Sequence, residues 1–333
     1  MSLYARRAPM VRVGITGATG FIGGALVSRL ARANFDLVMV DNRSGPVLAE
    51  YPEWPVPNLA FETDEALRLL SSCDVVLHLA AASGVMKCAN DPDGTARVNV
   101  EGTARLVSMC SERRIPVAFA SSFAVVGAPE RLPVREDTPA RPTHEYARQK
   151  TRGEELTRAP SRDTGLPTAV LRQSNVYGQY RAGAKPITKG NVIEAFAEQA
   201  KDGRLAVNAP GTQRRDFVHI DDVVSHWEAV VRFLTRSDAP RESRTFNVAS
   251  GEALSVLEVA DAMVRVYSRI YPDRPSLRAE IVPNPRGGVE LVEPSFRVDR
   301  SETERALGVA CRHHLESELP TILDSHLGRS RPE

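Results

Sequence analysis

Apolar residues in this chain fall into two patterns. In one, they form short unbroken runs rich in β-branched side chains: VRVGIT (11–16), DLVMVD (36–41), DVVLHLAA (74–81), PVAFASS (116–122) and PTAVLRQSNVYG (167–178). These runs predict strands. In the other, they recur every three or four positions, as in ALVSRLARA, EALRLLSSC, VNVEGTARLVSMCSERR (98–114) and the stretch from residue 144, and these predict helices. The strands lack strict polar alternation, so both their faces need cover. Strand and helix alternating in this way define an α/β chain with a doubly wound, parallel sheet.

After Gly178 the pattern loosens. QYRAGAKPITKG reads as a polar loop and NVIEAFAEQAKDG as a helix. RRDFVHIDDVVSHWEAVVRFL (214–234) reads as a strand running into a long amphipathic helix, and TFNVAS (245–250) as a further strand. LSVLEVADAMVRVY predicts another helix, and the proline-punctuated remainder ends in short helices. The expected organisation is a main domain over 10–178, with 214–250 returning to its sheet. A smaller substrate lobe is built from 179–213 and 251–333. Residues 1–9, basic and patternless, are expected to be a disordered leader, with Met10 a candidate start.

One turn carries more than topology. Gly17, Gly20 and Gly23 form G-x-x-G-x-x-G between the first strand and the first helix. Glycines there let the backbone approach a pyrophosphate, which rests on the unpaired N–H groups at the helix start. Asp41 ends the next strand, where its carboxylate can accept hydrogen bonds from an adenosine ribose. The doubly wound sheet is therefore expected to be a dinucleotide-binding Rossmann sheet. Asp41 repels a 2′-phosphate and favours NAD over NADP, while Arg43 partly offsets that preference.

Composition narrows the partners. The 333 residues carry 43 Lys and Arg against 42 Asp and Glu, a net charge of +1, so no global field attracts nucleic acid or a membrane surface. Cys73, Cys88, Cys110 and Cys311 match no zinc or disulfide spacing, which fits a reduced cytoplasmic setting. No apolar run approaches the ~20 residues of a membrane span. The seven histidines form no metal pattern, so no metal is expected. His313 and His314 are read as surface residues, His219 as structural, and His78 as either structural or in contact with a cofactor.

HEYARQK places Tyr146 and Lys150 about one helical turn apart, on one face, with Thr143 available as the N-cap. At that spacing alone an ordinary helical turn explains them. Beside a dinucleotide they have another use. A free phenol has a pKa near ~10, and the Lys150 cation together with an oxidised nicotinamide favours the phenolate, which can take a hydroxyl proton during hydride transfer. Ser122, at the end of a preceding strand, could hydrogen-bond the same substrate oxygen.

The ordered set TGATGFIGG, HLAA (78–81), NVEGT (99–103), SSFAVVG (121–127), YARQK, LRQSNVYG (171–178) and RRDFVHIDD (214–222) resembles the extended short-chain dehydrogenase/reductase family over roughly residues 11–325. It is most similar to the nucleotide-sugar epimerase and dehydratase branch, the group of UDP-glucose 4-epimerase. The resemblance implies a catalytic set of Ser122, Tyr146 and Lys150. It implies cofactor contacts at Gly17, Gly20, Phe21, Ile22, Gly23, Asp41, Asn42, Leu79, Ala80, Ala81, Asn99, Ala120, Tyr146 and Lys150. On the substrate side it implies Ser122, Asn175, Asn191, Arg215 and Arg286. Arginine suits a diphosphate because its planar fork can pair two oxygens. For Arg215 a structural ion pair with Asp216 or Asp222 stays open. Across this family a homodimer is common, and one is implied here on that ground.

Three departures narrow the reaction. Dehydratases of this branch place an acid just after the catalytic Ser or Thr, whereas this chain has Phe123 and Ala124, which disfavours elimination of water. Val126 stands where Tyr is common, removing a ring and hydroxyl expected near the sugar. EYPEWPVPNLAFETD lacks the usual glycine-aspartate at the adenine edge, with Asp64 a weak substitute. The expected activity is a NAD-dependent 4-epimerase of a nucleotide-diphosphate sugar. The rivals are a sugar, sugar-acid or keto-sugar-nucleotide oxidoreductase that releases its cofactor, and a silent dinucleotide-binding protein. Nucleic acid and membrane are not expected as partners.

Overall fold

A computed structural model of the chain describes residues 10–42, 57–182, 185–284 and 297–328. In chain order the elements begin β1 (Arg12–Thr16), α1 (Phe21–Arg32), β2 (Asp36–Val40), α2 (Asp64–Leu70), β3 (Val75–His78), α3 (Val85–Asn90) and α4 (Pro92–Ala96). A π-helical stretch, Arg97–Gly102, leads into α5 (Thr103–Glu112), followed by β4 (Val117–Ser122), a 3₁₀ turn (Phe123–Val126), α6 (Glu145–Thr164) and β5 (Thr168–Gln173). Then come β6 (Asn175–Tyr177), β7 (Gln179–Ala182), β8 (Lys185–Thr188), α7 (Val192–Gln199), β9 (Arg204–Asn208), β10 (Arg214–His219) and α8 (Ile220–Thr235). The described chain closes with β11 (Ser243–Val248), β12 (Ala253–Ser255), α9 (Val256–Ile270), β13 (Arg278–Val282), α10 (Ser301–Leu307) and α11 (Leu315–Leu327).

The central sheet has the order β11-β5-β4-β3-β1-β2. β1 pairs in parallel with both β2 and β3, and β3 with β4. The chain therefore winds one way from β1 to β2 and the other way from β3 onward. Ligands of doubly wound sheets bind at such a reversal, outside the carboxyl ends of the strands. Every residue of β3 is buried, as the unbroken apolar run requires.

The described fold divides into two compact units, 1–127 with 140–172 and 224–246, and 128–139 with 173–223 and 247–333. In the first unit Val40, Phe61, Leu70, Val76, Leu106 and Val117 form a buried cluster. In the second, Tyr177, Phe196, Leu205, Phe217, Met263 and Leu319 belong to another. α9 starts on a full capping box, Ser255 with Glu258, which satisfies two helix-end donors.

Several elements differ from the sequence expectation. The single strand expected over 167–178 is two: it breaks at Ser174, whose hydroxyl donates to Asp216 Oδ1 at 2.6 Å, and β6 joins a separate sheet beside β10. Of the segment 214–250, β11 takes its place at the edge of the central sheet. β10 instead lies in a three-stranded sheet, parallel to β6 and antiparallel to β12. The polar loop after Gly178 contains an antiparallel hairpin, β7 with β8. The leader 1–9, Arg43 and Arg286 lie outside the described residues.

Candidate active site

The glycine turn is shaped by close approach. Gly17 has φ +73°, and a Cβ there would lie 2.8 Å from the Ala80 nitrogen. A Cβ on Gly23 would sit 2.0 Å from the Gly17 carbonyl oxygen, so the first turn of α1 packs on the loop with no room for a side chain. Gly20 is the N-cap and provides no side-chain hydrogen bond. The N-cap itself thus supplies no side chain to the helix-start donors. Asp41, buried at the end of β2, accepts from the Thr19 amide at 3.0 Å, so it braces the turn. Asn42 follows it, exposed. Thr19 Oγ1 is buried in this turn and is among the side-chain atoms without a hydrogen-bond partner. A helix start whose N-cap is glycine, neighbouring glycines that admit no Cβ and the Thr19 hydroxyl without a partner fit a dinucleotide pyrophosphate.

The loop after β3 is held from below. The Leu79 amide donates to the Thr16 carbonyl at 3.2 Å and the Ala80 amide to Thr16 Oγ1 at 3.2 Å. Next to Ala81, the amide and carbonyl of Ala82 are both bound by the Asn99 side chain, at 2.8 and 3.0 Å. Asn99 also donates to Gln149 Oε1 at 2.7 Å, so its amide is committed to ordering the loop and joining it to α6. It lies in the π-helical stretch, an irregularity that often marks functional sites.

His78 is structural. Thr103 donates its hydroxyl hydrogen to the Asn99 carbonyl at 2.8 Å, so at 2.9 Å it accepts from His78 Nε2–H. His78 Nδ1 then accepts from the Thr16 hydroxyl at 2.7 Å. Burial lowers the imidazole pKa to about 3, and nearby Lys150 adds to the effect, so the ring is neutral.

Tyr146 and Lys150 both lie in α6, which begins one residue later than Thr143 would set it. His144 is the N-cap, and its Nδ1 accepts from the Ala147 amide at 3.2 Å. Lys150 is buried, donates to the Ala120 carbonyl at 2.7 Å and lies 4.7 Å from the centre of the Phe119 ring. The Ala120 carbonyl thereby fixes the lysine. Ser122 ends β4 and accepts from the Ala124 amide at 3.2 Å.

Burial drives the two titrating groups apart. It pushes Tyr146 up to about 12, with a hydrogen bond from Ser122 opposing the shift and Cys88 adding to it. It brings Lys150 down to about 8, against the pull of Cys88 and Glu154. In the protein alone, desolvation is the largest influence on the phenol, and the Ser122 hydrogen bond is what opposes it.

Beneath this set lies a residue that sequence reasoning missed. Glu154, one turn beyond Lys150, accepts from Ser121 Oγ at 2.6 Å, from Arg172 at 3.0 Å twice and from Arg158 at 2.8 Å. Desolvation raises its pKa, yet these partners, Arg172 foremost, hold it below the usual carboxylate range. Glu154 joins β4 beside Ser122 to α6 beside Lys150. No motif marks it, although an acid four residues after the lysine on one helix face was the available signal.

Of the residues expected on the substrate side, Asn175, Asn191 and Arg215 belong to the second unit. Arg215 makes one hydrogen bond among the described residues, to the Arg214 carbonyl at 3.3 Å. Asp216 is engaged by Ser174, Ser250 and Gly251, and Asp222 by Arg312 and His313, so neither acid forms the ion pair left open for Arg215. Asn175 is exposed and donates to the Asp216 carbonyl at 3.0 Å. Asn191 caps α7: its Oδ1 accepts from Ile193 and Glu194, and its Nδ2 donates to the Val176 carbonyl at 3.2 Å. Phe123 and Val126 are buried, so the position after Ser122 presents no acid and Val126 no open face. Asp64 is exposed and paired with Arg105 at 2.6 Å rather than buried in a pocket. His313, read as a surface residue, is tied to Asp222 and stacked on His219.

A doubly wound sheet with a glycine turn at its winding reversal, joined to a Ser, Tyr and Lys set, defines a dinucleotide-dependent enzyme of the short-chain dehydrogenase/reductase type. The profile of the NAD dependent epimerase/dehydratase family matches residues 13–249, and the chain belongs to that family. A UDP-glucose 4-epimerase of Mycolicibacterium smegmatis is 30% identical over 278 residues, covering 80% of this chain and 85% of that protein. The solved structure of MoeE5 in complex with UDP-glucose and NAD is 27% identical with a TM-score of 0.76, covering 95% of this chain and 99% of its own. TunA, a NAD-dependent NDP-hexosamine 5,6-dehydratase, is also 27% identical, with a TM-score of 0.77 and coverage of 96% and 99%. NAD is the cofactor of the family, and the residues of the glycine turn fit it. Among the described residues, no helix is long and apolar enough to cross a membrane.

Proposed function

We propose that this enzyme is a 4-epimerase of a nucleotide-diphosphate sugar. The observation that carries the reading is the intact Ser122, Tyr146 and Lys150 set followed by Phe123 and Ala124, with Phe123 buried where a dehydratase of this branch would present an acid. Proton and hydride movement at one carbon remains available, while elimination lacks its acid.

When bound, NAD supplies the hydride acceptor and donor and places a positive charge beside the phenol. Tyr146 Oη takes the proton of the C4 hydroxyl and later returns it. With the phenol at about 12 in the protein alone, ionisation needs that added charge. Ser122 donates a hydrogen bond to the reacting oxygen and steadies the charge on it. Lys150, fixed on the Ala120 carbonyl, keeps a cation one turn from the tyrosine and would hold the cofactor ribose. Arg215 holds the diphosphate, supported by its lack of an ion pair among the described residues, and Asn175 assists. Asn191 positions the start of α7 behind them. A homodimer belongs to the same proposal and is checked by light scattering.

The test incubates purified enzyme with UDP-, GDP- and dTDP-hexoses without added cofactor, following sugar stereochemistry by NMR and NADH by absorbance. A C4 epimer forming with no lasting NADH is expected, and Tyr146→Phe should lower the rate by about two to four orders of magnitude with folding and NAD affinity retained. Turnover only with added NAD or NADH would replace epimerisation by a net oxidoreductase. A dehydrated keto-sugar product would replace it by elimination.

A further inference from the structure

The second unit gathers two imidazoles and two carboxylates at a place the proposed epimerisation does not use. His219 ends β10, Asp221 stands in the first turn of α8, His313 precedes α11, and Glu318 lies in the first turn of α11. One ligand atom each from His219, Asp221 and His313 fall within 4.8 Å of one another. We propose that His219, Asp221 and His313 form a binding site for a divalent transition-metal ion of the zinc type, with water as a fourth ligand.

The separations suit an ion better than they suit hydrogen bonds. His219 Nδ1 lies 3.7 Å from Asp221 Oδ2, beyond hydrogen-bond reach. Bonds of ~2.0 to 2.1 Å in a tetrahedron set neighbouring donor atoms about 3.3 Å apart, so the set closes when His313 turns out of its stack on His219 and Asp221 swings in. Asp221 and His313 can make them, with 55% and 32% of their side chains exposed. The Nδ1 of His219 now receives the Asp221 amide at 3.3 Å, a long contact that an ion would displace.

Each histidine also has a second carboxylate placed to orient it. Asp222 takes the Arg312 and His313 amides at 3.0 and 3.1 Å and lies 2.9 Å from His313 Nδ1, which leaves His313 Nε2 as the free lone pair. Glu318 Oε2 lies 3.9 Å from His219 Nε2. That nitrogen is packed against Gly178, where a Cβ would come within 2.4 Å of it, so Nδ1 is the side left for an ion. A metal-bound imidazole with its other nitrogen facing a carboxylate is a recurrent arrangement. Two imidazoles with one carboxylate select zinc, cobalt or nickel over calcium and magnesium, which prefer oxygen ligands. An ion here would fasten the end of β10, the strand that carries Arg215, to the start of α11.

The test uses the untagged full-length chain, stripped with EDTA and titrated with Zn²⁺ by calorimetry and with Co²⁺ by visible absorption. One ion per chain, a tetrahedral Co²⁺ spectrum and a raised unfolding midpoint are expected. His313→Ala and Asp221→Asn, both at exposed or half-exposed positions, should each weaken binding at least about tenfold, a loss of ~1.4 kcal/mol. His314→Ala, at the neighbouring exposed histidine, should bind as the parent does. Absence of stoichiometric binding, or unchanged binding in both His313→Ala and Asp221→Asn, would overturn the site.

Discussion

Glu154→Gln tests whether the buried carboxylate behind Lys150 holds the first unit together. The wild-type side chains of Glu154 and Arg172 are 1% and 4% exposed, and two parallel hydrogen bonds of 3.0 Å join them. Ser121 and Arg158 add two more at 2.6 and 2.8 Å. Glutamine keeps the volume and one acceptor, but its amide N–H₂ turns a donor toward guanidinium donors. It also removes the negative charge that compensates a buried arginine. Breaking one side of such a pair costs roughly 3 to 5 kcal/mol, whereas replacing both partners by apolar residues is often close to neutral. Glu154→Gln should therefore lose about that amount in urea denaturation at pH 7, and Glu154→Met with Arg172→Met should regain most of it. Because the folded pKa of Glu154 is depressed, its contribution is present above the unfolded value of ~4.3. It is lost as pH falls below that through the folded pKa, so the difference between variant and parent should shrink in acid. A loss under about 1 kcal/mol, the value of an exposed pair, would refute the reasoning. So would a double variant no more stable than the single one.

Two further outcomes follow from the geometry. Burial raises Glu194 to about 7, so its favourable contribution is present below the ordinary carboxylate value and fades as pH climbs through 7. Glu194→Gln should then raise the unfolding midpoint at pH 8 relative to the parent and give a much smaller gain at pH 5, as read by thermal denaturation at the two values. Gly23→Ala puts a methyl 2.0 Å from the Gly17 carbonyl and must open the turn. Its NAD affinity should fall at least about tenfold, or ~1.4 kcal/mol, with the circular dichroism of the fold preserved. Unchanged NAD affinity would show that the turn does not receive the cofactor.

Local patterning carried the features that depend on near neighbours. Unbroken apolar runs gave β1 to β4 because strands covered on both faces need apolar residues throughout. The glycine spacing located the tight turn between β1 and α1, and the four-residue step from Tyr146 to Lys150 put both on one face of α6. The π-helical stretch at Asn99 was hidden by a sequence that reads as ordinary helix. The break at Ser174 was hidden too, because its cause, a hydrogen bond to Asp216, is remote in sequence.

By itself, then, the sequence determined the doubly wound class, the glycine turn, the shared helix face of Tyr146 and Lys150 and the missing acid after Ser122, since each rests on residues near one another in the chain. Tertiary structure decided the rest. It spent the side chains of Asn99 and Asn191 on loop and cap, made His78 a satisfied neutral link, and drove Tyr146 up and Lys150 down by burial. It also brought His313 against His219 and Asp222, across about ninety residues of chain. No spacing rule reaches that far, because contacts between distant segments are set by how packed elements meet, and desolvation is a property of the finished interior.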